Sequence, residues 1–327
     1  MRAICFDKFG GPEVLKVADV PEPQVRPGDV LIEVHAAALN PVDTKIRSGG
    51  HGQLPLPIIP GYDVSGVVQG VGADVTGFGI GDEVYASPNL RRPGSHAQRV
   101  AVDARTVAPK PRTLDHVHAA ALPLVTITAW ESLYDRADVR PDETVLVQAG
   151  AGGVGHVAVQ LAAARGCRVL TTAGREESIA LCRQLGADLV IDYKKQDVLE
   201  QVMIETQDHG CDVVFDTVGG DVLVQCMDAL AVNGRLVGIV LTRTDQIYDK
   251  LFRKNATLHL EFMGVPTIFE IHPENQGRIL REAAALVDAG KLRPHIHDII
   301  GLQDIPRAHG EQAEHHTCGK RVVKLVD

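Results

Sequence analysis

Two patterns of hydrophobic positions divide the 327-residue chain. Up to about Leu122, short β-rich runs at 30–34, 64–68 and 83–85 are separated by glycine and proline. From about Pro123, the apolar runs are too continuous for half-exposed strands and alternate with amphipathic segments. The pattern therefore predicts a compact β-barrel-like region followed by a parallel sheet with helices between its strands.

Six strands can be counted in the second region, at 144–149, 168–173, 189–192, 213–217, 235–240 and 258–263. Six strands with intervening helices are typical of a doubly wound sheet, so the predicted fold class is α/β. A helix is expected at about 276–289 after the sixth strand. The last predicted strand, at 320–326, is expected to return to the first region.

Composition excludes several classes of partner. The formal net charge of −9 and the pI near 5.9 disfavour nucleic-acid binding, which needs clustered Lys and Arg. We expect no membrane association, because no apolar run of about 18 residues occurs, and no signal peptide is apparent at the start. The six cysteines are scattered without a CxxC pair. A cytoplasmic protein is therefore expected.

A glycine-rich loop carries the clearest chemical signal. The apolar run 145–149 leads directly into a GxGxxG motif and then into a predicted helix; the motif residues are Gly150, Ala151, Gly152, Gly153, Val154 and Gly155. Its first glycine permits the tight turn, the second lets the backbone approach a diphosphate, and the third lets helix and strand pack closely. The free N–H groups at the helix start attract the anion. A bound dinucleotide is predicted.

The end of the second strand indicates which dinucleotide is bound. An acidic side chain there would bind the ribose 2′-hydroxyl of NAD, but this strand ends at Gly174 and Arg175, and the first acid is Glu176. Gly174 leaves room for a 2′-phosphate and Arg175 can pair with it. NADPH is therefore the predicted cofactor.

Several further segments span nearly the whole chain: GGPEVL at 10–15, ALNPVDT at 38–44, GYDVSG at 61–66, AALPL at 120–124 and TAW at 128–130. Together with the glycine loop they resemble the medium-chain dehydrogenase/reductase superfamily, in particular its zinc-independent quinone oxidoreductase (ζ-crystallin-like) branch. The resemblance implies a GroES-like β-rich catalytic domain at 1–123 and 266–327. It also implies an NADPH-binding Rossmann domain at 124–265 and a homodimer.

The resemblance also bears on zinc. Zinc-dependent alcohol dehydrogenases of the superfamily hold the metal with two Cys and one His, and these positions correspond here to Asn40, Tyr62 and Leu124. An amide, a phenol and an aliphatic group lack the thiolate and imidazole donors that Zn²⁺ uses. We therefore expect no metal. The histidines near the C-terminus show no HxxxH or HExxH spacing that would change this expectation.

Without a Lewis acid, acceptors that take a hydride easily are favoured. We expect hydride transfer from NADPH to quinones or to the C=C bond of α,β-unsaturated carbonyls, with hydrogen bonds holding the oxyanion. The resemblance places Asn40 beside the nicotinamide, where its NH₂ can donate to the substrate or to the cofactor, although Asn40 before Pro41 also suits a turn. The Tyr62 phenol is the second catalytic candidate, with a packed aromatic wall as the alternative.

Further cofactor contacts are implied by the resemblance or by the ends of strands. Thr128 is similar to a threonine near the nicotinamide carboxamide, and Tyr193 to a tyrosine near the adenosine phosphate. Strand ends form the cofactor crevice of such sheets, which adds Val218, Gly219, Val240 and Met263.

Three alternatives stay open at this stage. Lys45 stands where an aromatic residue is expected in quinone reductases, which leaves enone or haloacrylate-type reduction open, and His51 in the same loop is either an acid or a solvated residue. Alcohol or aldehyde oxidoreduction is the second alternative. A non-enzymatic NADPH-binding, crystallin-like protein is the third. A dimer is expected through edge-to-edge pairing of the sixth strands, 258–262.

Overall fold

The computed structural model describes residues 1–50, 55–312 and 317–326. The strands in this part of the chain are β1 Arg2–Cys5, β2 Lys16–Asp19, β3 Asp29–Ala38, β4 Val64–Val71, β5 Glu83–Ala86, β6 Arg99–Asp103, β7 Val107–Pro109, β8 Thr144–Val147, β9 Arg168–Ala173, β10 Leu189–Asp192, β11 Cys211–Asp216, β12 Leu230–Gly238, β13 Thr257–Leu260, β14 Ile296–Gly301 and β15 Lys320–Lys324.

The α-helices of the same residues are α1 Pro41–Arg47, α2 His116–Ala120, α3 Pro123–Trp130, α4 Gly155–Ala164, α5 Glu176–Gln184, α6 Val198–Glu205, α7 Asp221–Ala229, α8 Ile247–Arg253, α9 Val265–Phe269, α10 Glu274–Asp288 and α11 Ile305–Gln312. A π-helix, Glu131–Arg136, follows α3. Short 3₁₀ helices cover Pro12–Val14, Ala104–Thr106 and Leu302–Asp304. None of the helices described is long and apolar enough to cross a membrane.

The chain divides into two compact units. The first comprises Met1–Ile127 and Gly264–Asp327, and the second comprises Thr128–Met263. The predicted divisions, after residues 123 and 265, differ from these by a few residues.

The first unit is built on a seven-stranded sheet. Its strand order is β14-β15-β3-β4-β5-β7, and β6 pairs with β3. β1 and β2 form a separate antiparallel pair. The C-terminal strand β15 lies antiparallel to β3, with Val322 opposite Ala38, so the end of the chain returns to the first region as the sequence predicted.

The second unit has the doubly wound sheet that the pattern predicted. Its six strands are all parallel, in the order β10-β9-β8-β11-β12-β13. The strand centres are fully buried, as at Leu146, Leu170 and Val214, and α7 packs on them with Leu223 and Met227. Burial on both faces explains why these strands read as continuous apolar runs.

The bounds of four of the six strands differ from the prediction by one to five residues, and two of these differences have a backbone cause. β8 ends at Val147, because Ala149 takes the left-handed conformation with φ of 51°. β12 begins at Leu230 rather than at 235, because the backbone stays extended on either side of an irregularity at Asn233, whose φ is 63°. The fold class itself is confirmed.

Candidate functional site

The glycine loop lies between β8 and α4, and its three motif glycines differ in what surrounds them. A Cβ on Gly150 would lie 2.1 Å from Oγ1 of Thr171, and one on Gly155 would lie 2.1 Å from the carbonyl oxygen of Ala149. A Cβ on Gly152 would meet only that same carbonyl oxygen, at 3.1 Å. The outer glycines are therefore needed for packing, whereas Gly152 borders open space that a diphosphate can approach. These residues fit a dinucleotide.

Side chains at neighbouring strand ends hold the loop in place. The Ala149 N–H donates to Oγ1 of Thr172 at 2.9 Å, and the Gly150 N–H donates to the carbonyl oxygen of Thr172 at 3.1 Å. The Thr217 hydroxyl donates to the carbonyl oxygen of Gln148 at 2.8 Å. The carboxyl ends of β8, β9 and β11 are thus tied together beneath the loop.

Two predicted cofactor residues, Gly174 and Tyr193, are in contact. A Cβ on Gly174 would lie 2.5 Å from Cζ of the Tyr193 ring, which is half exposed. Arg175 is the N-cap residue of α5, and its Nη1 lies 3.4 Å from Oε1 of Glu177. The arginine predicted to bind a 2′-phosphate therefore already has a carboxylate within ion-pair distance.

The ends of the fourth and fifth strands also lie together. The Asp216 carboxylate accepts hydrogen bonds from the N–H groups of Val218, at 2.9 Å, and Gly219, at 3.0 Å. Gly219 has a φ of 77°, and a Cβ there would lie 2.7 Å from Cγ1 of Val240. Asp216 was not predicted from the sequence; its carboxylate shapes the turn that carries two predicted residues.

Thr128 and Met263 occupy opposite ends of the second unit's sequence. Thr128 lies in α3 and Met263 follows β13, and both are buried. The remaining loop residues differ in exposure: Ala151 is buried, whereas Gly153 and Val154 are partly exposed before the first turn of α4.

A buried polar cluster surrounds Asn40 in the first unit. Nδ2 of Asn40 donates to Oδ2 of Asp63 at 2.7 Å, and Nζ of Lys320 donates to Oδ1 of Asn40 and to Oδ2 of Asp63, the latter at 2.9 Å. Oδ1 of Asp63 accepts the Leu124 N–H at 2.7 Å. Asn40, Asp63 and Lys320 are at most 3% exposed.

Backbone geometry explains why Asn40 points toward Asp63. Asn40 is the N-cap of α1 with an extended backbone, and Pro41 is the first helical residue. Asp43 takes over the capping role, because its carboxylate accepts the N–H of Asn40 at 2.7 Å. The Asn40 side chain makes hydrogen bonds with Asp63 and Lys320, outside the helix. Asn40 thus starts the turn before Pro41, as one of the two interpretations expected, and its side chain also belongs to the buried polar cluster.

The segment 61–63 is held by hydrogen bonds along its length. Gly61 has a φ of 107° and donates its N–H to Oδ1 of Asp43 at 2.9 Å. The Ser87 and Ser95 hydroxyls donate to the carbonyl oxygens of Tyr62, at 2.7 Å, and Asp63, at 2.6 Å. These contacts fix the backbone that carries the Tyr62 and Asp63 side chains.

Tyr62 is fully buried, and its hydroxyl has no hydrogen-bond partner among the residues that the structure describes. Burial raises the pKa of the Tyr62 phenol, and the nearby Asp43 carboxyl adds to the rise. The hydroxyl thus remains protonated at neutral pH. Within the described part of the chain, the Tyr62 hydroxyl is therefore a hydrogen-bond donor without an acceptor.

The pKa values of the buried Asp43 and Asp63 carboxyls are each set by two opposing effects, burial and nearby hydrogen bonds or charges. Burial raises the pKa of Asp43 to about 7, against the Asn40 and Gly61 N–H groups that favour its ionised form. Burial also raises the pKa of Asp63, and the Lys320 ammonium opposes that rise. Asp63 and Lys320 therefore form a buried ion pair beside Asp43, whose carboxyl titrates near neutral pH.

The three positions that correspond to zinc ligands do not fit a zinc ion. The Asn40 amide is bound at both ends, Tyr62 offers a protonated phenol, and Leu124 takes part through its backbone N–H. No group of three or more His, Cys, Asp or Glu side chains within 1–50, 55–312 and 317–326 suits a metal. His51, His315 and His316 lie outside the described residues. Zinc independence stays a prediction.

Asp43, Asp63 and Lys320 were missed by the reasoning from sequence. Asp43 and Asp63 lie inside the segments that carry the family resemblance, and Asp43 stands three residues after an N-cap, as in a capping box. No local pattern indicates that Lys320 reaches Asp63 across 257 positions of the chain.

Known proteins match both units. Residues 26–112 match the family described as the alcohol dehydrogenase GroES-like domain, and residues 185–323 match the family described as zinc-binding dehydrogenase. A quinone oxidoreductase of Rattus norvegicus is 34% identical over 98% of this chain and 95% of its own length. An NADPH-dependent alkenal/one oxidoreductase of the Arabidopsis thaliana chloroplast is 36% identical, over 90% and 71% of the two lengths.

A solved structure of an alcohol dehydrogenase superfamily protein from Novosphingobium aromaticivorans has the same fold. It superimposes with a TM-score of 0.92 and 38% identity over 99% of both chains. The chain belongs to the medium-chain dehydrogenase/reductase superfamily, as its motifs indicated. It is an oxidoreductase that uses a nicotinamide cofactor.

Proposed function

We propose that this oxidoreductase is a zinc-independent, NADPH-dependent reductase of quinones or of the C=C bond of α,β-unsaturated carbonyls. The observation that carries the proposal is the chemistry at the three positions that correspond to zinc ligands. They present a bound amide, a phenol without a partner among the described residues and a backbone N–H, all of them hydrogen-bonding groups and none of them a thiolate or imidazole.

The donor set favours an easily reduced acceptor. Oxidation of a simple alcohol passes through an alkoxide, and a Lewis acid stabilises the charge of that alkoxide by several kcal/mol. A quinone or enone instead develops negative charge on a conjugated oxygen, which hydrogen bonds can hold. When NADPH is bound, C4 of its nicotinamide supplies the hydride.

Two residues are proposed to act on the acceptor. The Tyr62 hydroxyl is withdrawn from water and unpartnered within the described residues, so it is available to donate to a developing oxyanion. Asn40 is the second donor: its Nδ2 has one good acceptor, Asp63 at 2.7 Å, and one distant acceptor, Ala38 at 3.5 Å. One of its N–H groups is therefore largely unused.

The preference for NADPH rests on Arg175 and on the absence of an acidic residue at 174. Arg175 is the N-cap residue of α5 and directly follows Gly174, which contacts Tyr193. A guanidinium at this place binds a 2′-phosphate with charge-assisted hydrogen bonds. A relative whose name specifies NADPH supports the same choice.

The test is a substrate panel with both reduced cofactors. We expect NADPH consumption with 9,10-phenanthrenequinone, 1,4-benzoquinone or an enone, unaffected by chelator, and no NADP⁺ reduction with simple alcohols. Alcohol turnover that depends on added zinc would overturn the proposal. Tight NADPH binding without turnover of any compound would identify a binding protein instead.

Tyr62 has a matched control in Tyr85, a second fully buried tyrosine of the same unit, whose hydroxyl bonds the carbonyl oxygen of Leu280. We expect Tyr62→Phe to lower kcat by roughly tenfold or more while leaving stability unchanged or improved. Tyr85→Phe is expected to lower stability and leave kcat unchanged. Equal kcat in Tyr62→Phe and wild type would remove Tyr62 from the proposal.

We also propose a cytoplasmic homodimer. β13 is the last strand in the sheet order of the second unit, and Leu260 on it is 68% exposed, so an apolar sheet edge needs covering. The free cysteines of the described residues are buried, in keeping with a reducing compartment. Light scattering is expected to give a dimer for wild type and a monomer for Leu260→Lys. A wild-type monomer at micromolar concentration would dismiss the dimer.

A further inference from the structure

Lys320 is a buried cation whose hydrogen bonds are fully used inside the first unit. Its Nζ donates to the carbonyl oxygen of Leu39 at 3.0 Å, to Oδ1 of Asn40 and to Oδ2 of Asp63 at 2.9 Å. Because an ammonium has three N–H bonds, these three acceptors leave none for a ligand. Lys320 therefore acts only through the groups that it holds.

The charges around Asn40 permit one orientation of its carboxamide. The oxygen faces the Lys320 ammonium and the nitrogen faces the Asp63 carboxylate. A flipped amide would place its NH₂ against the ammonium and its oxygen against the carboxylate, which makes two repulsive contacts between buried groups. The chemical identity of the two partners thus fixes which end of Asn40 is the donor.

The same arrangement leaves one N–H of Asn40 available. The distance from Nδ2 to the Ala38 carbonyl oxygen is 3.5 Å. This is longer than the range of about 2.7–3.2 Å for a normal N–H···O hydrogen bond. The other N–H of the amide is consumed by Asp63. Lys320 and Asp63 together determine where the spare N–H points.

We propose that Lys320 is a positioning residue, which with Asp63 locks the Asn40 amide so that its spare N–H is presented to the oxygen of the substrate. This inference rests on the proposed reductase function. It gives the buried ion pair a role that hydrophobic packing cannot supply, because an apolar pair of the same volume would leave the amide free to flip.

The central variant is Lys320→Met combined with Asp63→Asn, since Lys320→Met alone leaves a buried carboxylate without its cation. With NADPH and 9,10-phenanthrenequinone, we expect kcat to fall on the order of tenfold, less than the roughly hundredfold or greater cost of removing an oxyanion donor, because the Asn40 amide stays present but is no longer held in one orientation. The dissociation constant of NADPH should change much less than kcat, because the glycine loop that approaches the diphosphate is untouched. The single variant Lys320→Arg keeps a positive charge at this position and should lower kcat less than the paired variant does. Lys324→Met is the matched control on the same strand, where the side chain is exposed.

A triple variant separates positioning from general damage to the fold. If Lys320 acts through Asn40, adding Asn40→Ala to the paired variant should cause no further loss beyond that of Asn40→Ala alone. Multiplied losses would overturn the proposal, as would a paired variant with the kcat of wild type.

A structural readout keeps the inference testable without turnover. In protein labelled with [¹⁵N]asparagine, the Asn40 side-chain amide is identified by its loss in Asn40→Ala. We expect one shifted pair of signals in wild type and a broadened or doubled pair in the paired variant. Identical signals in both would overturn the positioning role. A wild type that reduces no quinone or enone would overturn the proposed function alone, because the amide signals still decide the orientation of Asn40.

Discussion

The ring of Tyr193 lies against the backbone of Gly174 so closely that a Cβ on the glycine would come within 2.5 Å of Cζ and 2.7 Å of the hydroxyl oxygen. Gly174→Ala must therefore displace the ring. We expect NADPH to bind roughly two- to tenfold more weakly, the effect of a side chain forced off its preferred position.

Titration of NADPH by fluorescence measures this loss, and Gly28→Ala is the control because nothing lies within 4 Å of its added Cβ. In a protein that also carries Tyr193→Ala, the alanine at 174 has room, so its separate cost should vanish. An unchanged affinity in the single variant would show that Tyr193 does not face the cofactor.

Substitutions at Arg175 and Glu177 should change the affinity for NADPH in opposite directions. Arg175→Ala should weaken NADPH binding by roughly ten- to a hundredfold, the value of charge-assisted hydrogen bonds, and leave NADH binding unchanged. Glu177→Gln removes the carboxylate that lies 3.4 Å from the guanidinium. It should tighten NADPH binding by a factor of roughly two to five, since exposed ion pairs are weak. Arg183→Ala, on the same helix, controls for general charge. Equal shifts for NADPH and NADH would argue against a 2′-phosphate contact.

The sequence predicted the parts of the fold that depend on local spacing. Buried parallel strands produce continuous apolar runs, so all six strands of the second unit were found, and the glycine spacing located the loop before α4. The end of β8 was missed by two residues, because a left-handed Ala149 has no sequence signature comparable to glycine.

The candidate site was only partly predictable, because its contacts join distant positions. Lys320 meets Asn40 and Asp63 across 280 and 257 residues. Asn40 was selected from the family resemblance, but the two charged groups that contact its amide come together only when β15 lies beside β3. The contact of Gly174 with Tyr193 likewise depends on the pairing of β9 and β10.

Glu131 predicts a fall in stability at alkaline pH. Burial and the nearby Glu261 carboxyl raise the pKa of Glu131 to about 9 from an ordinary 4.5, and Arg136 pairs with Glu261 at 2.8 Å. An acid with a raised pKa is protonated in the folded chain and ionised in the unfolded chain between these two values. The free energy of unfolding should therefore fall across this window, by up to about 1.4 kcal/mol per pH unit.

Glu131→Gln removes that titration and keeps a neutral side chain of the same size. Urea unfolding between pH 6 and 9 should give a flatter curve for this variant and greater stability than wild type at the alkaline end. Glu200→Gln, at an exposed position, should reproduce the wild-type slope. Parallel curves for Glu131→Gln and wild type would show that Glu131 is ionised in the folded protein.

His309 predicts the complementary loss of stability in acid. It is fully buried, neither ring nitrogen has a hydrogen-bond partner among the described residues, and the His96 ring lies 6.4 Å away. Burial, with smaller effects of His96 and Arg47, lowers the pKa of His309 to about 3 from an ordinary 6.5. A base with a lowered pKa stays neutral in the folded chain while the unfolded chain takes up a proton. Stability should therefore be lost as the pH falls from 6.5 toward 3.

His309→Phe retains a ring of similar size and removes both unpartnered nitrogens. We expect the free energy of unfolding to rise by roughly 1–3 kcal/mol, the cost of leaving buried polar groups unsatisfied, and its decline in acid to become shallower. His297→Phe, at an exposed position on β14, should change neither quantity. A destabilised His309→Phe would mean that the imidazole bonds an internal water, since only a satisfied polar group is costly to replace by an apolar one of the same shape.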